Sequence, residues 1–141
     1  MDKPEISGNM IKIPSDFVYL ADVDDFIYDI IGKAGVSKST TADFAISVSE
    51  IVNNAIAYGS GGDRSKSISV KVEIDNNEIT ITIKDQGKGF DPGGLPNPLA
   101  KENLLNKVGR GIFIVRSLMD SVDFNFTNTG TEVVIKKNIN E

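Results

Sequence analysis

Apolar residues recur at three- and four-residue steps in two long stretches of the chain, which predicts two amphipathic helices. The first helix should begin after Ser15 or Asp16 and run to about Ile31. The second should begin after Ser39 or Thr40 and stop at Gly59. The residues expected to face the core are Phe17, Leu20, Val23, Phe26, Ile27 and Ile30 in the first helix, and Phe44, Ile46, Val48, Val52, Ala55 and Ile56 in the second.

Strict alternation of apolar and polar residues predicts strands elsewhere. Every second residue from Ile68 to Ile74 and from Ile79 to Ile83 is apolar, and three polar residues between the two runs predict an antiparallel hairpin. Residues 122–126 and 133–137 should form two more strands, residues 111–119 a third helix, and residues 10–13, just before a proline, a short edge strand. These elements predict an α/β (α+β) two-layer sandwich, in which helices cover one face of a mixed, mostly antiparallel sheet.

The segment from Gly87 to Val108 has no steady period and contains several glycines and prolines. It is longer than most connections in compact domains, and such long loops are often functional lids. We therefore expect a single domain over residues 1–141 with a lid at residues 87–108.

Composition narrows the function classes. The 141 residues carry a net charge of −5, which argues against general binding to nucleic acid or to an anionic membrane. No apolar run approaches the roughly 18 residues that span a bilayer. The chain has neither cysteine nor histidine, so disulfides and thiolate metal sites are excluded, and acid–base chemistry would fall to carboxylates. These features favour the cytoplasm.

Glu50 and Asn54 lie four residues apart and should share one face of the second helix. The amide oxygen of Asn54 suits Mg²⁺, and the carboxylate of Glu50 can orient or deprotonate a nucleophile. The same spacing is also typical of two solvated polar positions on an amphipathic helix, and for the pair alone this second interpretation is the better one.

Asp85 ends a predicted strand where glycines begin, at Gly87 and Gly89. A carboxylate there can accept a hydrogen bond from an exocyclic amine such as that of adenine, and the glycines allow a base to approach closely. An ordinary strand-to-loop turn uses the same residue types, so the two interpretations are evenly balanced.

Gly109, Arg110 and Gly111 open the third predicted helix. Free amides and the helix dipole at a helix N-terminus favour a phosphate, and Lys107 and Arg110 could add charged contacts. A lid hinge beside an ordinary helix start is the alternative.

Taken together, these blocks resemble the N box, the D-x-G-x-G box and the G-x-G box of the GHKL ATPase superfamily. The chain is most similar to the small serine-kinase anti-sigma factors of bacteria. The resemblance covers nearly the whole chain, through Ile11-Lys12-Ile13-Pro14, Ser49-Glu50, Asp85-Gln86-Gly87, Asn103-Leu104-Leu105, Gly109-Arg110-Gly111, Ser117-Leu118-Met119-Asp120 and Gly130-Thr131-Glu132-Val133.

This resemblance implies a GHKL (Bergerat-type) ATP-binding fold with ATP and Mg²⁺ as cofactors. It implies that Asn54 binds the metal, that Glu50 is the catalytic carboxylate, and that Asp85 reads adenine with help from Thr131. Nucleotide contacts are implied for Gly87, Gly89, Lys107, Gly109, Arg110 and Gly111. Tyr58 is a departure, because many relatives have histidine there.

The implied function is that of a serine/threonine protein kinase and anti-sigma factor. Its partners would be a STAS-domain anti-anti-sigma protein and a sigma factor, and a homodimer is expected. Two other functions stay open at this point. One is a nucleotide-gated binding module with little kinase activity, which would not need Glu50. The other is a detached histidine-kinase catalytic domain that phosphorylates a separate protein.

Overall fold

The computed structural model describes residues 2–59, 63–87, 111–127 and 129–139. A six-stranded sheet forms one layer. Its strands are β1 (Glu5–Ser7), β2 (Met10–Pro14), β3 (Ser67–Ile74), β4 (Glu78–Asp85), β5 (Ser121–Thr127) and β6 (Gly130–Asn138), in the spatial order β1-β2-β3-β4-β6-β5. All strand pairs in the described part of the chain are antiparallel, so the sheet there is not mixed.

Helices form the second layer. A 3₁₀ turn (Phe17–Tyr19) leads into α1 (Leu20–Lys33), and α2 (Lys38–Asn54) continues into a π-helical turn (Ala55–Gly59). The described part of α3 covers residues 111–118. The predicted two-layer α+β sandwich is therefore confirmed.

The helix boundaries follow from local capping. Gly35 leaves α1 with a φ of +77°, a conformation that costs glycine little. Ser37 caps α2 by accepting a hydrogen bond from the Thr40 amide at 3.2 Å. The predicted cap at Ser39 or Thr40 is wrong because both residues already lie inside the helix.

The core lies between the sheet and α1 and α2. It contains isoleucines and valines of the sheet together with fully buried helix residues such as Ile27, Ile31, Phe44 and Val48. Ala45 and Ile51 are also buried. Their positions define the inner stripe of α2, and Ile46 falls outside that stripe and is 47% exposed, so its predicted burial is wrong.

Three other expectations fail at element ends. Phe17 is half exposed because it precedes the regular helix, and Ile74 is 40% exposed at the last position of β3. Residues 10–13 do not form an edge, because a turn at Gly8 (φ +58°) folds β1 back along β2. Asn9 holds this turn by donating a hydrogen bond to the Val72 carbonyl at 2.8 Å.

Candidate functional site

A cavity of about 190 Å³ opens between the helices and the sheet. Ile51, Ile83, Ile112 and Val133 contribute much of an apolar lining, and Asp85 supplies a carboxylate. The cavity therefore combines apolar walls with a single acidic acceptor, which is the usual composition of a small-molecule or cofactor site.

The carboxylate of Asp85 lies at the end of β4, closely surrounded by backbone. The Thr131 amide donates a hydrogen bond to its Oδ1 at 3.1 Å. A Cβ atom on Gly59 would collide with this carboxylate, one on Gly87 would collide with the Gly59 carbonyl, and one on Gly130 would collide with the Asp85 carbonyl. These three glycines thus allow the three chain segments to meet around Asp85.

Burial raises the pKa of Asp85 above its ordinary value of 3.8. Hydrogen bonds from the backbone of Thr131 and Gly87 and the positive charge of Lys66 oppose this effect. A carboxylate in such surroundings gains most from a ligand that donates a hydrogen bond to it, because the ligand replaces the lost water.

Glu50 and Asn54 lie on the last turns of α2, directly below the described start of α3. A Cβ atom on Gly111 would lie 2.7 Å from Glu50 Oε2 and 3.6 Å from Asn54 Nδ2. Gly111 therefore lets the backbone of α3 approach both polar groups. Both side chains are half buried, and Asn54 also lines the cavity.

The donor set fits a magnesium ion that is shared with a phosphate ligand. No group of three or more histidine, cysteine or acidic residues that could hold a metal occurs in the described ranges. Mg²⁺ is commonly bound by one or two protein oxygens, with phosphate oxygens and water completing the octahedron. Asn54 supplies an amide oxygen of that kind, one helical turn from the Glu50 carboxylate.

The structure brings most of the predicted site residues together. Asp85, Gly87 and Thr131 meet at one end of the site, and Glu50, Asn54 and Gly111 meet under α3. Gly89, Lys107, Gly109, Arg110 and the predicted lid beyond Gly87 lie outside the described residues.

Several residues around the cavity were not predicted from the sequence as site residues. The sequence predicts Gly59 only as the end of the second helix and Gly130 only as part of a family motif, because their contacts with Asp85 are made across long stretches of chain. Arg116, Phe124 and Phe126 also line the cavity. The spacing of these residues gives one signal in the sequence. Arg116 follows Ile112 by four residues and shares its helix face, and Val122, Phe124 and Phe126 occupy every second position of β5 and so share one face of the strand.

The π-helical turn after α2 replaces the predicted regular helix up to Gly59. Its Tyr58 and Gly59 both line the cavity. Single π-helical turns are frequent at functional sites.

None of the helices in the described segments has the length and apolar character needed to cross a membrane.

Comparison with known proteins gives one consistent group. Residues 13–137 match the family described as histidine kinase-like ATPase domain. The chain is 34% identical over 101 residues to the anti-sigma F factor of Clostridium perfringens, covering 70% of this chain and 72% of that protein. It is 31% identical over 120 residues to the serine-protein kinase RsbW of Staphylococcus epidermidis, covering 79% of this chain and 75% of that protein.

A solved structure agrees at the level of the fold. The crystal structure of the RsbU and RsbW domains of Rv1364c from Mycobacterium tuberculosis superposes with a TM-score of 0.64 at 14% sequence identity. The match covers 91% of this chain and 30% of that longer chain.

Proposed function

The chain belongs to the family of histidine kinase-like ATPase domains, and we propose that it is an ATP-dependent serine/threonine protein kinase that also acts as an anti-sigma factor. The observation that carries this proposal is the placement of two separate polar groups in one site. Asp85 lies among apolar walls at one end, and Glu50 and Asn54 lie under the start of α3 at the other.

The first part of the mechanism is recognition of the nucleotide. The base of ATP enters the cavity, and its exocyclic amine donates a hydrogen bond to Asp85, whose other hydrogen bonds come from the backbone. The resemblance to the superfamily extends the nucleotide contacts to Gly89, Lys107, Gly109 and Arg110.

The second part is transfer of the terminal phosphoryl group. Asn54 would hold Mg²⁺, which neutralises the charge that develops on the phosphate oxygens. Glu50 orients the hydroxyl of a protein substrate and accepts its proton as that oxygen bonds to the γ-phosphorus and ADP leaves. The short approach of Gly111 to Glu50 keeps α3 close to this point.

The proposed partners are those implied by the resemblance to the serine-kinase anti-sigma factors. We infer that the hydroxyl belongs to a STAS-domain anti-anti-sigma protein, that a sigma factor is the sequestered partner, and that the chain acts as a homodimer in the cytoplasm. The names of the two relatives, an anti-sigma F factor and a serine-protein kinase, support both activities.

The test is transfer of labelled phosphate from γ-labelled ATP to the STAS-domain protein of the same organism. Glu50→Gln should keep ATP affinity within a few-fold and lose the transfer rate by roughly 10²–10⁴-fold, the span expected of a general base. Wild-type transfer by Glu50→Gln would remove Glu50 from the chemistry. ATP-dependent sigma-factor binding by the wild type with no transfer would instead favour a nucleotide-gated binding module.

A further inference from the structure

Arg116 lines the same cavity as Asp85, although it comes from the opposite layer of the fold. It lies on α3, and its side chain is exposed. Within residues 2–59, 63–87, 111–127 and 129–139 it has no hydrogen-bond or ion-pair partner. An arginine that lines a cavity and has no protein partner there is suited to contact a ligand.

The position of Arg116 along α3 separates it from the phosphate end of the site. Gly111 marks that end, because it lies against Glu50 and Asn54. Arg116 is five residues further on, and a helix rises about 1.5 Å per residue, so the two backbone positions are about 7.5 Å apart along the axis.

Strand β5 forms the cavity wall next to Asp85, the residue proposed to contact the base. Phe126 pairs with Thr131 across the β5–β6 ladder, and the amide of Thr131 is bonded to Asp85. The rings of Phe124 and Phe126 are parallel within 7°, with their centroids 6.0 Å apart, and both line the cavity together with Arg116.

This inference rests on the proposed ATP site. We infer that Arg116 binds the nucleobase: its guanidinium covers the face of the ring, while Asp85 accepts a hydrogen bond at the edge of the ring. Arginine is suited to this role because its planar cation stacks on aromatic rings. A contact with the ring face adds affinity for any purine, whereas a hydrogen bond at the edge discriminates between purines. The two residues therefore have separable effects.

The experiment compares adenosine, ATP and GTP binding to the wild type and to Arg116→Ala by calorimetry. Arg116→Ala should weaken adenosine and ATP equally, by about 5- to 30-fold, the range between an exposed and a desolvated cation–π contact. The ratio of ATP to GTP affinity should stay at its wild-type value, while Asp85→Asn should lower that ratio. Lys33→Ala, which removes one positive charge from an exposed end of α1 outside this cavity, should change neither affinity.

Other results overturn the inference. A loss for ATP with unchanged adenosine binding would assign Arg116 to the phosphates, and unchanged binding of both would assign it to no nucleotide contact. The proposed function fails separately, if the wild type binds no nucleotide or if Asp85→Asn has no effect. Arg116 is exposed, so its replacement is not expected to unfold the chain, and equal thermal midpoints of variant and wild type check this.

Discussion

Gly111→Ala should lower the phosphoryl-transfer activity of this protein without lowering its stability. The added methyl group would lie 2.7 Å from Glu50 Oε2, whereas ordinary van der Waals contact begins near 3.4 Å. The atom that it meets is the end of a flexible side chain, so the carboxylate can move away and the helix need not. The required displacement is about 0.7 Å, the difference between those two distances.

The substitution is expected to affect stability and phosphoryl transfer in opposite directions. Gly111 is helical, and alanine in place of glycine stabilises a helix interior by roughly 0.5–1 kcal/mol, so the gain near the start of α3 is expected to be at most about that size. The variant should therefore unfold at the same urea concentration as the wild type, or at a slightly higher one. Misplacement of a catalytic group by about 1 Å can cost 10²-fold, so phosphoryl transfer should fall by roughly 10- to 100-fold.

Gly32→Ala is the matched control, because Gly32 also lies in a helix and a Cβ atom there meets nothing within 4 Å. It should bring the same gain in stability and leave transfer unchanged. The assays are urea unfolding followed by circular dichroism and phosphate transfer at saturating ATP. A Gly111→Ala variant that is as stable as the wild type and transfers phosphate at the wild-type rate would refute the placement of Glu50 in the chemistry.

Three further predictions concern the same site. Burial raises the pKa of Asp85, so the ionised carboxylate lowers the stability of the unliganded protein as the pH rises through the raised pKa. In urea unfolding, Asp85→Asn should therefore increase the stability more at pH 7 than at pH 4. An equal increase at both pH values would contradict this. Gly130→Ala should destabilise the fold by about 1–3 kcal/mol in urea, because its methyl group meets the Asp85 backbone and not a movable side chain; an unchanged midpoint would count against the packing described. Asn54→Ala should lose both ATP affinity and transfer, as should removal of Mg²⁺ with a chelator, and full transfer in the presence of the chelator would exclude the metal.

The parts of the fold that were predictable are those in which local pattern and tertiary packing agree. The β3–β4 hairpin is an example, because its isoleucines and valines alternate and all but Ile74 face the core. Glu50, Asn54 and Asp85 could also be selected as candidate site residues from the order of three short motifs. Membership of the expected family is confirmed.

The features that escaped prediction depend on long-range contacts or on small local energies. All three residues of β1 are exposed, and the strand is defined mainly by its pairing with β2. The sequence of β1 is too short to show an apolar–polar alternation that would predict this strand. The change from α- to π-helix after Asn54 is not visible in the spacing of apolar residues. The requirement for glycine at positions 59 and 130 is not visible in the local sequence, because it comes from the close approach of Asp85 from a distant part of the chain.

The central claim is that the cavity ending in Asp85 binds the adenine of ATP. Calorimetric titration of the wild type with ATP and with GTP, in the presence of Mg²⁺, tests it most directly. A charge-assisted hydrogen bond to the exocyclic amine contributes about 1.5–3 kcal/mol, so ATP should bind at least about tenfold more tightly than GTP. Asp85→Asn should weaken ATP binding by a similar factor. Equal affinities of the wild type for ATP and GTP would contradict the account.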